Sequence, residues 1–309
     1  MVIWECIIDM TDSTFDPNKI DKLKLYFGKP YSITCPTGKE IVVYQPTIGE
    51  IMERGEHEVY SVVNVFIANP TMYRLQLWDQ GFDWNDMTEY ELFMMLSPIL
   101  EKEDTDILFG DLDFTKFEKC IATNPETGEQ HITLYNAEQD IEIDEATHKN
   151  LIEYVRFLFN MYPKVEKAKG KATKKALIWE DRDNQERNKN KEQTSMLLPM
   201  ISSCLNHPGF KYKKKELVDV GLVEFMDSVQ RLQIYESTTA LLKGMYSGFC
   251  DTSKIPKENF DFMREIKYGR KHINPNHNKG NNTDSPKPII PELSGISDKV
   301  KEKLNDIKK

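Results

Sequence analysis

Cysteine is scarce and scattered in this chain. Its five residues, Cys6, Cys35, Cys120, Cys204 and Cys250, form no CxxC pair, so the spacing encodes neither a zinc ribbon nor a disulfide framework. Isolated thiols in odd number suit a reducing cytoplasm. Long apolar runs are missing too, and none approaches the ~20 residues of a helical membrane span. The apolar opening MVIWECIIDM is broken by Glu5 and Asp9 and follows no basic stretch, which makes it a poor signal peptide. Basic charge is in deficit, with 41 Lys and Arg against 50 Asp and Glu and a net charge of −9. Nucleic acid as the main partner needs the opposite balance, although a local basic patch remains compatible with it.

Motifs of chemistry are equally thin. Thr37-Gly38-Lys39 has the end of a phosphate-binding loop, but Ile33 and Glu40 stand where the second glycine and the Ser or Thr belong. A hairpin turn accounts for it better. Cys204 and His207 have a ligand-like spacing without the third and fourth donors that a metal site needs, unless Cys250 or His272 supplied them. A buried thiol beside a loop histidine is the simpler reading. Asp111 with Asp113, and Glu142 with Asp144, alternate with apolar residues as the solvent face of strands does. None of the six histidines lies in a nucleophile or metalloprotease motif. No catalytic, cofactor-binding or metal-binding residue is therefore assigned. The methionine-rich patches (Met87, Met94, Met95; Met196, Met200) read as core filler.

What the chain does contain is organised around Tyr31–Arg54, YSITCPTGKEIVVYQPTIGEIMER. Tyr31, Ile33 and Cys35 alternate with polar residues, Pro36 to Lys39 supplies a turn, and Ile41 to Tyr44 returns as a β-branched run. Pro46 ends sheet pairing, and Thr47 with Glu50 three residues later has the spacing of a capping box. Val2–Ile8 reads as a short strand before it. After it, Val59–Ala68 is β-branched yet bracketed by Glu56–Glu58 and Asn69-Pro70, and is expected to be helical. Trp78, Phe82 and Trp84 cluster around Gly81. Asn85 or Asp86 is expected to cap a helix over Glu89–Leu100. Strands are expected over Phe114–Thr123 and Gln130–Tyr135, around the Asn124–Gly128 turn, and at Ile141–Ile143. Asp144 then caps a helix to about Tyr162.

Composition shifts at Pro163. Lys164–Gln193 is highly charged, with its lysines first, and reads as a linker or an exposed helix. A sharper alternative is a basic contact surface anchored by Leu177, Ile178 and Trp179. Beyond it the spacing predicts a short amphipathic segment over Ser195–Leu205 and a long helix from Lys214 to about Lys243. A short helix follows Pro256, through Phe260 to Ile266. Residues Tyr268–Pro291 are polar and read as disordered, and Ser297–Lys309 as a terminal helix with little to bury. The expected class is α+β: a mixed region with small antiparallel sheets over 1–163, a charged linker at 164–193, a mainly helical module over 194–267 and a flexible tail at 268–309.

The segment Lys39–Ile51, a strand and glycine turn leading into Pro46-Thr47-Ile48-Gly49-Glu50, resembles the opening of phage tail assembly chaperones. Asp83-Trp84-Asn85-Asp86-Met87, leading to Tyr90–Phe93, resembles the short helix that follows there. Such chaperones are usually shorter, and this chain adds a β-region and a helical module. The resemblance implies a non-enzymatic protein of the host cytoplasm. It would bind the tail tape measure protein and recruit tail tube subunits, with no membrane, nucleic acid or cofactor involved. A virion component of the tail or baseplate is the alternative; a hydrolase or nuclease with acidic residues gathered only by folding is a more distant one. Tyr235, Leu242, Met245, Tyr246 and Phe249 offer more apolar surface than one helix needs. They are the candidate partner-binding residues, against the simpler reading that they complete the module's own core.

Overall fold

The computed structural model describes residues 20–123, 128, 130–189, 194–248 and 253–266. The expected strand at Val2–Ile8, the expected disorder from Tyr268 and the terminal helix from Ser297 lie outside them, as do Phe249 and Cys250. The class is α+β: helices carry most of the structure, beside one two-stranded and one three-stranded antiparallel sheet.

After a short helix α1 (Lys22–Tyr26), strands β1 (Tyr31–Thr34) and β2 (Glu40–Val43) form the expected hairpin, with Tyr31 opposite Val43 and Ile33 opposite Ile41. Period-2 alternation buries Ile33, Ile41 and Val43 on one side. Helix α2 (Ile48–Arg54) begins at a complete capping box: the Thr47 hydroxyl accepts from the Glu50 backbone N–H, and the Glu50 carboxylate accepts from that of Thr47. Helix α3 (Glu56–Phe66) follows where the β-branched run was expected to be helical. Its Val59, Val63 and Phe66 are buried at helical spacing, and this tertiary packing overrides their strand propensity.

Helix α4 (Arg74–Asp79) precedes α5 (Glu89–Leu96). The expected caps are corrected here. Thr88, not Asn85 or Asp86, caps α5, again through a capping box with Glu91. Asn85 instead hydrogen-bonds the backbone of Ala168 in both directions. The helix also stops at Leu96, because Pro98 lies in a 3-10 turn over Ser97–Ile99. Helix α6 (Lys102–Phe109) leads to a second sheet, of β3 (Glu118–Thr123), β4 (Gln130–Asn136) and β5 (Ile141–Ile143), and then to α7 (Glu145–Phe159), capped by Asp144 as expected. The strand expected from Phe114 starts only at Glu118; Asp113 accepts from the Thr115 N–H and holds a 3-10 turn over Phe114–Lys116.

The charged stretch contains helix α8 (Lys171–Asn188), of 18 residues. One side of it lies on α4: Ile178 is buried, and Asp181 accepts two hydrogen bonds from Arg74 at 2.5 and 2.6 Å. Helix α9 (Leu197–Leu205) matches the short amphipathic segment, while the long helix α10 (Leu222–Ser247) starts and ends later than expected. The Pro256 segment forms only a 3-10 turn over Lys257–Phe260. One cluster of buried side chains runs from Ile20 through both sheets and α7 to Phe225 of α10. Core contacts thus cross the compositional break at Pro163.

Candidate partner-binding surface

Helix α10 carries Tyr235, Leu242, Met245 and Tyr246, whereas the fifth candidate, Phe249, lies outside the described residues; the first turns of α10 are anchored on the organising hairpin. Ile48 N–H donates to the Val220 carbonyl at 2.9 Å, and Leu222 N–H donates to that of Pro46 at 2.9 Å, flanking a bridge between Thr47 and Gly221. Gln45, buried between the segments, donates to the Leu25 carbonyl at 2.9 Å and accepts from the Val223 N–H at 3.3 Å. Gly49 lies against Val218 so closely that a Cβ there would fall 2.4 Å from Cγ1 and 2.7 Å from the backbone carbonyl oxygen. The Pro-Thr-x-Gly-Glu sequence thus has a local account: Thr and Glu close the capping box, and Gly admits the turn before α10.

Leu222, Val223 and Phe225 are buried by this seat, and Met226, Val229 and Leu232 are partly buried on the same side. Further along, residues 257–266 cross the helix. Arg231 donates to the carbonyls of Phe262 and Arg264 at 3.0 and 2.9 Å, and the buried Thr238 donates to that of Asn259 at 3.1 Å. Beside and beyond this crossing the helix presents apolar side chains to solvent. Tyr235 is 53% and Tyr246 82% exposed, Met245 is exposed and Leu242 half-buried. At 3.6 residues per turn, Tyr235, Leu242 and Tyr246 fall on one stripe, with Met245 on its flank. Exposed Phe262 and Met263 extend the surface, and the Tyr235 and Phe262 rings meet edge-on with centroids 6.5 Å apart. The sequence reading missed these two by placing them in a helix; the closely spaced apolar residues of Phe260-Asp261-Phe262-Met263 were the available signal.

The buried ionisable groups belong to the core instead. Arg156 binds the Glu89 and Glu153 carboxylates and the Ile67 carbonyl. His148, enclosed beside the rings of Tyr90 and Phe93, has its pKa pushed down to about 3, first by burial and then by nearby Arg156, so it is neutral at physiological pH. Burial pushes the Cys35 thiol up to about 12, which suppresses the thiolate a nucleophile would need. Glu142 departs from expectation. It is only 4% exposed rather than on a solvent face, its Oε1 lacks a hydrogen-bond partner, and burial raises its pKa, with Asp144 adding to the rise. The turn carrying Asp111 and Asp113 is not a strand.

Cys204 is buried, and His207 contacts the Glu236 carboxylate and accepts from the Gly209 N–H at 3.0 Å. Among the described residues no group of three or more His, Cys, Asp or Glu is placed to hold a metal ion, and no helix is long and apolar enough to cross a membrane. Neither protein-family models, curated proteins nor solved structures give a match to this chain.

Proposed function

We propose that this chain is a phage tail assembly protein, a chaperone or scaffold of the host cytoplasm. It binds the tape measure protein and tail tube subunits during tail morphogenesis and catalyses no reaction. The observation that carries the reading is the apolar stripe of Tyr235, Leu242 and Tyr246 beside Phe262 and Met263. Contiguous exposed apolar surface of this kind suits protein–protein contact, and tyrosine anchors tend to dominate such energetics. The likeness of Lys39–Ile51 to the chaperone opening supplies the partner class. Met245 and Phe249 complete the proposed binding set.

Binding of the full chain to tape measure and tube proteins of the same phage tests this, by calorimetry on wild type, Tyr235→Ala and Tyr246→Ala. Each substitution should weaken binding by about 2 kcal/mol and leave the melting temperature unchanged, because neither ring is buried. Unaltered binding by both variants would refute the assignment. Mass spectrometry of purified particles adds an independent check: an assembly protein is depleted from them, whereas full incorporation would make the chain a virion component.

A further inference from the structure

We infer that the apolar run Val2–Ile8, which precedes the described residues, docks on the chain's own surface of Tyr235, Met245, Tyr246, Phe262 and Met263 until a partner displaces it. The inference rests on reading that stripe as a docking surface, not on which partner takes it. Three observations bring run and surface together. The first is position. The described residues begin at Ile20, which is buried, and α1 follows at once and packs against α10. Lys22, the first residue of α1, pairs with Glu265, two positions after the exposed Met263. The chain therefore enters the fold beside one end of the surface. The second is reach. The residues between Ile8 and Lys22 can span about 45 Å when extended. The stripe from Tyr235 to Tyr246 is about 17 Å long at 1.5 Å per residue, and an extended Val2–Ile8 covers about 20 Å. The third is composition. Val2, Ile3, Trp4, Ile7 and Ile8 are apolar, with Glu5 the lone charge among them. Such a run gains by leaving water, and tryptophan is among the strongest interface anchors.

Other occupants fit less well. Residues 267–309 follow Ile266 and start equally close, but their apolar residues are spread among lysines, asparagines and prolines, and Tyr268 is their single aromatic. A second copy would have to dock from bulk solution, whereas a tether of this length supplies an effective concentration of order mM. Leu23 and Phe27 are also exposed, but the five-residue α1 offers the run two anchors where the stripe offers five. Charge does not choose between occupants, because Lys243, Lys254 and Lys257 on this surface are matched by Glu236, Glu258 and Asp261. The contact is therefore apolar and little weakened by salt. Docked, the run shields the stripe from non-specific association. A partner must then compete with it, and apparent affinity falls with the fraction of chains whose surface is open.

Oxidation of methionines in the full chain by hydrogen peroxide, followed by peptide mass spectrometry, reads this out. Met263 and Met52 are similarly exposed, at 74% and 67%, so without an occupant they should oxidise alike. The expected result is that Met263 oxidises about tenfold more slowly than Met52 at every protein concentration. Trp4→Asp with Ile7→Asp should remove the difference and leave the melting temperature unchanged. Cys6 identifies the occupant. In a Cys250→Ser background, Met263→Cys should form a disulfide with Cys6 of the same chain about tenfold faster than Met52→Cys does. Equal oxidation of Met263 and Met52 overturns the inference. So does protection that survives both aspartates, which would assign the surface to residues 267–309. Protection that grows with concentration, or disulfides between chains, overturns it in favour of a second copy, and faster pairing of Cys6 with Phe27→Cys overturns it in favour of α1. Tape measure and tube proteins that bind neither wild type nor the aspartate variant would sink the tail-assembly reading and leave this one standing.

Discussion

Gly49→Ala separates two opposing effects whose magnitudes the structure decides. In a helix, alanine is favoured over glycine by about 1 kcal/mol, so an open site would gain stability. At Gly49 the added Cβ falls 2.4 Å from Val218 Cγ1 and 2.7 Å from the Val218 carbonyl oxygen. The methyl could rotate away, but the carbonyl belongs to the turn that delivers Val220 and Leu222 to their hydrogen bonds with Ile48 and Pro46. Relief therefore requires α2 and the start of α10 to move apart, and overpacking of this kind costs about 1–3 kcal/mol. The net expectation is a loss of up to about 2 kcal/mol after the propensity gain is subtracted. Urea denaturation measures it, with Met52→Ala as the control in the same helix, where exposure predicts a change within about 0.5 kcal/mol. Loss of the seat should also speed proteolysis between α9 and α10. A Gly49→Ala chain as stable as wild type, with unchanged proteolysis, would refute the reasoning.

Two further perturbations probe the core and the α8 ridge. Glu142 has a folded pKa raised by burial from its ordinary 4.5, so the folded state holds its proton more tightly than the unfolded one, and this contribution is lost as pH rises through the folded value. Glu142→Gln should therefore stabilise the chain near neutral pH and flatten that decline, read as urea midpoints across a pH series; an unchanged profile would remove the buried carboxylate as its cause. Asp181→Asn takes one of two carboxylates from Arg74, the other being Glu166 at 2.7 Å. The pair is mostly buried but retains one partner, so the expected cost is about 1–2 kcal/mol, below that of an isolated buried charge, with faster proteolysis at the ends of α8; equal stability would mean Glu166 alone suffices.

Legibility followed the range of the forces involved. The hairpin at Tyr31–Tyr44, the Thr47–Glu50 box and the Asp144 cap could be read because each is decided by residues a few positions apart. Thr88 was passed over for Asn85 and Asp86 because all three are capping residues; what selects Thr88 is Glu91 three positions on and the engagement of Asn85 with Ala168. The burial of Glu142, Arg156 and Gln45 had no local signature. The Arg156 contact with the Ile67 carbonyl spans 89 positions and that of Gln45 with Val223 spans 178, so their environments exist only once the chain has folded. The candidate stripe was half legible. An apolar excess after Leu232 could be counted, but which part of it residues 257–266 cover could not.

The compositional break at Pro163 shows what such breaks measure. From Lys164 onward the residues turn charged because α8 buries little beyond Ile178, and any helix with one narrow contact stripe reads this way. Composition reports exposure. Independence of a unit is set instead by whether its apolar stripe is satisfied within it, and here Leu222, Val223 and Phe225 join a core that contains Ile33, Ile48 and Leu158. Residues far apart in sequence, Gln45 with Val223 and Gly49 with Val218, close that seam with hydrogen bonds and with space that only glycine leaves. The exposed end of α10 is therefore held by a helix whose other end is built into the hairpin, so that a partner seated on Tyr235 and Tyr246 would be held on a rigid arm rather than on a tether.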